Sequence, residues 1–161
     1  MTSTLVIEDW RLRSAAVDAR VTCGDAGCVK VGSELAKAML ERYPTLAEHA
    51  CSSHGVHCFG QVIEGTEAAH LVEHLAIDHL VATSRAAGYD RCAFAGHTSW
   101  LDKERGAMRV TVGVASARRG KREPVDEETL EEIRAAIRWA VGQVNEALAN
   151  RSMSAATAEN R

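Results

Sequence analysis

The sequence predicts an α+β fold: a single domain in which a mixed or antiparallel sheet carries helices packed on one side. Three observations predict it. Short β-branched, partly alternating runs occur at Thr4–Ile7, Ala15–Val21, Arg91–Ala95 and Met108–Ala115, the last apolar at every second position. Three longer segments carry helical periodicity with start and stop residues at their ends. At 161 residues, 46% hydrophobic and 25% charged, the chain has the size and composition of one soluble globular domain with a sizeable core. Aromatic residues are 4% of the total, so that core must be built from Ala, Val and Leu.

Taken in order, the two N-terminal strands lead into Thr22-Cys-Gly-Asp-Ala-Gly-Cys28, a Gly-rich loop with C-x4-C spacing and no second pair to match it. Ser33 is placed to cap a helix that runs to about Arg42 and ends at Tyr43-Pro44. Pro44 to Gly60 is an irregular connection containing His49, Cys51, His54, His57 and Cys58, and connections of that length are often functional. Thr66 is placed to cap a second helix, to about Ala87, which Gly88 stops. After the strands at 91–95 and 108–115, Arg118-Arg-Gly-Lys-Arg122 is a basic turn. Asp126 then caps a last helix from Glu127 to about Ala149, with acids in its first turn as the helix dipole favours. Ile133, Ile137, Ala140, Val141, Val144 and Leu148 make its apolar face. The domain is expected over 1–149, with 150–161 a disordered Ser/Ala-rich tail.

The second helix carries His70-Leu-Val-Glu-His74, an H-x-x-E-H sequence. At about 100° per residue, His70 and His74 share a face one turn apart, with Glu73 beside them. That is the spacing for two imidazoles on one metal ion and a carboxylate next to the metal's water. Ala68, Ala69, Leu71, Val72, Leu75, Ala76 and Ile77 make the helix apolar nearly all round, the mark of a buried helix. The polar groups His70, Glu73, His74, Asp78 and His79 then need partners, and a metal is one efficient way to supply them. A surface helix with solvated His and Glu is the plainer reading of the same residues.

The net charge is −3, and there is no basic stripe interleaved with aromatics, so nucleic-acid binding has no electrostatic support. No apolar run of about 18 residues and no basic region leading into an apolar stretch suggest membrane insertion or export, so a cytoplasmic protein is expected. The five cysteines are an odd number, which points to free thiols or metal ligands rather than a disulfide framework.

Tyr43-Pro-Thr-Leu-Ala-Glu-His-Ala-Cys-Ser52, followed by Glu64-Gly-Thr-Glu-Ala-Ala-His-Leu-Val-Glu-His-Leu-Ala-Ile-Asp78, resembles the N-terminal domain of cyanophycin synthetases. The family pattern is close to P-S-L-x-E-H-x-C-S, then E-G-T-x-x-G-H-I-V-E-H-V-A-L-E. The resemblance is specific over 43–80 and looser over 1–42 and 81–120. It implies a metallopeptidase-like site, which in some members cleaves an aspartate-backbone polymer bearing arginine side groups. Carried over, it makes His70 and His74 ligands of Zn2+ or another divalent transition metal, and Glu73 the general base. At motif level the helix is also similar to those of pitrilysin-type peptidases and S-ribosylhomocysteinase, which implies a related metallohydrolase fold.

The third ligand stays open. Asp78 is nearest, one turn past His74, although an acid orienting His74 is the preferred reading of it. Asp102, Glu104, Glu127, Glu128, Glu131 and Glu132 are further acids, and Cys51, Cys58 or Cys92 could ligate as thiolate. Gly113 stands where the family often has an acid. His49, Cys51, Asp78 and His97 are candidates for the surroundings of the metal or substrate, with Trp100 beside His97. The cluster from Cys51 to Cys58 could line this site or form a second one. The expected function is hydrolysis of a peptide or isopeptide bond in a peptide or amino-acid-polymer substrate, by a chain that could form homo-oligomers. The alternatives are a non-catalytic peptide- or partner-binding domain with a structural metal, and a zinc lyase similar to S-ribosylhomocysteinase.

Overall fold

A computed structural model describes residues 4–24, 30–52, 57–88, 93–115 and 124–159, the last nine of these by backbone alone. The basic turn at 118–122 and the residues His54 and Cys92 lie outside the described residues. Strands β1 (Leu5–Leu12) and β2 (Ala16–Cys23) form a hairpin, followed by helix α1 (Ser33–Arg42). Two short 3-10 turns, Pro44–Glu48 and Phe59–Gln61, lead to helix α2 (Ala68–Ala86). Strands β3 (Phe94–Asp102) and β4 (Ala107–Val114) form a second hairpin, and helix α3 (Glu127–Glu159) closes the described chain. The four strands make one antiparallel sheet in the order β1-β2-β4-β3, so the expected α+β architecture is observed.

Register shows which face carries the helices. Thr98 lies opposite Val110, Val110 opposite Ala19, and Ala19 opposite Trp10, so these four share one face across the sheet. At one end of that row Thr98 meets Glu73 of α2, and at the other Trp10 lies under the Arg134 guanidinium of α3. Both long helices therefore cover the same face. Beneath them Val17, Ala19, Val21, Val110 and Val112 are buried, which is where the alternation of β2 and β4 sends its apolar residues. The opposite face carries polar residues. There Asp18 is buried but satisfied by Arg13 at 2.6 Å and the Thr111 hydroxyl at 2.8 Å.

Local chemistry explains where the elements end. Asp126 Oδ1 accepts the Thr129 N–H at 2.8 Å, the expected cap of α3. Ile133, Ile137, Ala140, Val141, Val144 and Leu148 are buried as expected. The helix continues to Glu159 rather than ending near Ala149. Ala155-Ala156 and the absence of Gly or Pro leave nothing to stop it. Asn145 of α3 pins the edge strand: its Oδ1 accepts the Leu5 N–H at 2.8 Å, and its Nδ2 donates to the Leu5 carbonyl at 2.9 Å.

Strand β3 begins later and runs longer than the expected Arg91–Ala95, and it takes in His97 and Trp100. The Gly113 position has a packing explanation. A Cβ there would lie 2.5 Å from the Ala15 carbonyl oxygen and 2.6 Å from Ala16 Cβ, so β4 can pass this point only without a side chain. Cys23 is disulfide-bonded, a correction at this residue to the expectation of free thiols or metal ligands. Among the described residues, no helix is long and apolar enough to cross a membrane.

Candidate metal centre

Helix α2 supplies the centre of the site. Its first ten residues are nearly all buried, His70, Glu73 and His74 included. Gly65 turns the chain into the helix with φ +84°, in the left-handed region that favours glycine. Thr66 does not cap it. Glu67 holds the cap position, paired with Lys30 at 2.6 Å, and the Thr66 hydroxyl instead lies 2.7 Å from His70 Nδ1. With that nitrogen engaged, His70 turns its Nε2 toward His74 Nε2, 3.2 Å away.

A third donor comes from the irregular connection. The segment before α2 folds back on itself: Phe59 N–H donates to the His49 carbonyl at 2.8 Å, Cys51 N–H donates to the His57 carbonyl at 3.2 Å, and Ala50 bridges Cys58. This closure puts Cys51 Sγ 3.7 Å from His70 Nε2. Cys51, His70 and His74 thus form a group whose donor atoms all lie within 4.8 Å of one another and which could hold a metal ion. The spacing fits a small tetrahedral ion. Bonds of roughly 2.0–2.1 Å to nitrogen and 2.3 Å to sulfur give donor separations of about 3.3 Å between nitrogens and about 3.6 Å from nitrogen to sulfur.

The His74 imidazole is held neutral. Burial pushes the His74 pKa down to about 3, helped by His70 and His49 beside it. Phe59, fully buried, stacks on the His74 ring at 3.9 Å and meets His70 edge-on at 5.2 Å. Sequence reasoning missed Phe59, although one of two Phe residues beside a Cys/His cluster was a usable signal. Asp78 does not sit against the two donor nitrogens. Its Oδ1 accepts the Thr45 hydroxyl at 2.7 Å and lies 3.1 Å from His49 Nε2, and His49 Nδ1 lies 3.3 Å from His74 Nδ1.

Glu73 points toward β3, where its Oε2 accepts the Thr98 hydroxyl at 2.5 Å. Burial raises its pKa to about 7, with the Thr98 hydrogen bond pulling the other way. Gly96 makes this position available. A Cβ at Gly96 would collide with Glu73 Cγ and sit 2.6 Å from Oε1. Neither Gly96 nor Thr98 could be found from the sequence, because their role exists only once β3 lies along α2.

The triad and Glu73 line one cleft of about 790 Å³, which also reaches Asp78, His97 and Trp100. The other acids lie elsewhere. Asp102 accepts the Glu104 and Arg105 N–H groups in the β3–β4 turn, Glu131 pairs with Arg134, and Glu127, Glu128 and Glu132 are exposed at the start of α3. Cys58 is a free thiol in the Ala50 bridge and does not line the cleft, and His57 is exposed.

The model of one family, the cyanophycin synthase-like N-terminal domain, matches residues 29–123. The chain belongs to that family. Every residue of the triad, with Glu73, His49, Asp78, Gly96 and Thr98, falls inside the matched stretch, whereas β1, β2 and α3 lie outside it. No curated protein and no solved structure matches the chain. In this member of the cyanophycin synthase-like domains, the family segment therefore builds the cleft, and the flanking strands and helix complete the sheet and its cover.

Proposed function

We propose that this chain is a zinc-dependent hydrolase of a peptide or isopeptide bond, with Cys51, His70 and His74 holding the ion and Glu73 acting as general base. The observation that carries the reading is the convergence of three soft or nitrogen donors with a buried carboxylate of raised pKa in one cleft. A His2Cys set suits zinc, and three protein ligands leave a tetrahedral ion one open position, the pattern of catalytic sites. When bound, the ion would lower the pKa of a water toward about 7 and polarise a carbonyl.

The chain's own groups supply the rest. Glu73, with a pKa of about 7, is partly ionised near neutral pH. It can take a proton from the attacking water and return it to the departing amine. The Thr98 hydroxyl and the bare Cα of Gly96 hold that carboxylate in place. The cleft carries both signs of charge, Arg85 with Glu48 and Asp78, which suits a peptide or amino-acid polymer bearing both charges. An H-x-x-E-H helix laid on an antiparallel sheet is also the arrangement that a pitrilysin-like peptidase would need.

A closed structural site would call for four protein ligands, and among the described residues the group has three. The lyase reading needs a second thiol at the site, and among the described residues Cys51 is the thiol that lines the cleft. Both observations favour the hydrolase. The test is metal analysis of protein purified without chelators, followed by assay on aspartate–arginine peptides. We expect about one zinc per chain, with Glu73→Gln lowering turnover on the order of 10²–10⁴-fold while metal stays bound. Equal turnover in that variant, or no bound metal in the native protein, would overturn the proposal.

A further inference from the structure

We propose that His49 is a positioning residue for the metal centre: anchored by Asp78, it holds His74 in the tautomer whose Nε2 lone pair faces the other two donors. The inference rests on the metal-centre reading above and extends it to the hydrogen-bond chain behind the ligand. Asp78 Oδ1 accepts the Thr45 hydroxyl at 2.7 Å and meets His49 Nε2 at 3.1 Å. A carboxylate can only accept, so His49 donates from Nε2. A neutral imidazole carries one N–H, so His49 Nδ1 is then an acceptor. That nitrogen lies 3.3 Å from His74 Nδ1, and the contact is a hydrogen bond only if His74 donates from Nδ1. His74 Nε2 is left with its lone pair, 3.2 Å from His70 Nε2.

Two further observations make this assignment specific to His74. Phe59 stacks on its ring at 3.9 Å and 19°, so the ring cannot swing to exchange its nitrogens without displacing a fully buried side chain. His70 is anchored differently, by the Thr66 hydroxyl at 2.7 Å, which can donate or accept and so imposes no tautomer. Without metal, His70 can donate from Nε2 to His74. With metal, it can shift its proton to Nδ1 and point it at Thr66. The tautomer of His74 thus depends on His49, while the Thr66 contact by itself fixes none for His70.

The experiment uses the whole chain and Zn2+ alone as probe, with two readouts. One is the pattern of ring 15N shifts of His74 in metal-free protein, which reports the tautomer directly. The other is zinc affinity by competition with a chromogenic chelator. In the native protein His74 should carry its proton on Nδ1. His49→Phe keeps a ring and removes the acceptor, and it should redistribute that proton and weaken zinc binding roughly 10- to 100-fold. His49→Asn restores an acceptor near the Nδ1 position and should recover both to within several-fold. An unchanged tautomer and affinity in folded His49→Phe would overturn the proposal, as would an Asn variant impaired as badly as Phe. If His49→Phe does not fold, Asp78→Ala decides the matter, since it frees His49 to flip: a redistributed His74 proton supports the relay, and an unchanged one overturns it. Failure of the native protein to bind zinc would sink the metal-centre reading, while the metal-free tautomer would still decide the role of His49.

Discussion

At the scale of the residue, Glu73 and His74 are neighbours whose pKa values are moved in opposite senses by the same burial. The His74 value is depressed to about 3 from 6.5, so the unfolded chain binds its proton more readily, and stability is lost as pH falls from 6.5 toward 3. The Glu73 value is raised to about 7 from 4.5, so the folded chain binds its proton more readily, and stability is lost as pH rises from 4.5 toward 7. At about 1.4 kcal/mol per unit, the two effects are on the order of 5 and 3 kcal/mol over their full windows. Between pH 4.5 and 6.5 they oppose and nearly cancel. Metal-free protein should therefore show a stability plateau there, with losses below it and a smaller decline toward pH 7. Denaturant titrations across pH would measure this. In Glu73→Gln the acid-side loss should persist down from 6.5 and the decline toward pH 7 should vanish. A native protein whose stability climbs steadily from pH 4.5 to 7 would contradict the assignment.

Gly96 acts at the same scale. Its bare Cα lets Glu73 lie against β3, and a methyl group there would overlap the carboxylate stem. Gly96→Ala should move the carboxylate by a fraction of an ångström to an ångström. Such misplacement can lower kcat by up to about 10²-fold. Zinc content should be unchanged, because the three atoms nearest that position all belong to Glu73. Native kcat in Gly96→Ala would show that Glu73 has room to spare.

At the scale of the element, legibility followed the range of the interactions. Helix α2 was readable because its buried face, its His spacing and its stop at Gly88 are all local in sequence. The hairpin β1–β2 and the cap at Asp126 were readable for the same reason. The third donor was not, because Cys51 reaches His70 only after the 49–59 segment folds back, and until then three Cys and several acids stayed open, with Asp78 the nearest. Thr66 was misread as a cap since the same Thr, four residues before His70, suits either job, and Glu67 took the cap position. Gly113 stands where the resemblance implies an acid, and β4 has no room for a side chain there beside Ala15 and Ala16. Asn145 shows the reverse case, an exposed-looking polar residue of α3 that holds both backbone groups of Leu5 on edge strand β1. Asn145→Ala should destabilise the fold by about 1–3 kcal/mol, read from urea unfolding, because it leaves two partly buried backbone groups without their partner. A change below about 0.5 kcal/mol would mean that water replaces the amide there.

At the scale of the whole molecule, the candidate metal centre joins two parts of the chain that also meet through the Thr45–Asp78 and His49–His74 contacts and the Phe59 stack. Cys51 belongs to the folded-back segment before α2, while His70 and His74 belong to the helix packed on the sheet. An ion held by all three would crosslink them in the folded state and has no preformed site in the unfolded chain. Its binding is therefore folding free energy, worth about 4 kcal/mol when free zinc is 1,000 times the dissociation constant. Added zinc should raise the melting temperature of the native protein, and a chelator should reverse the shift. Cys51→Ser leaves the His pair with a poor third donor, so its zinc-induced shift should fall to less than half. Glu73→Gln keeps all three donors and should retain the full shift even where its turnover is lowered. The comparison separates holding the ion from using it. An equal shift in Cys51→Ser would mean that the ion is held by the helix alone, and the crosslink between the two parts of the domain would have to be given up.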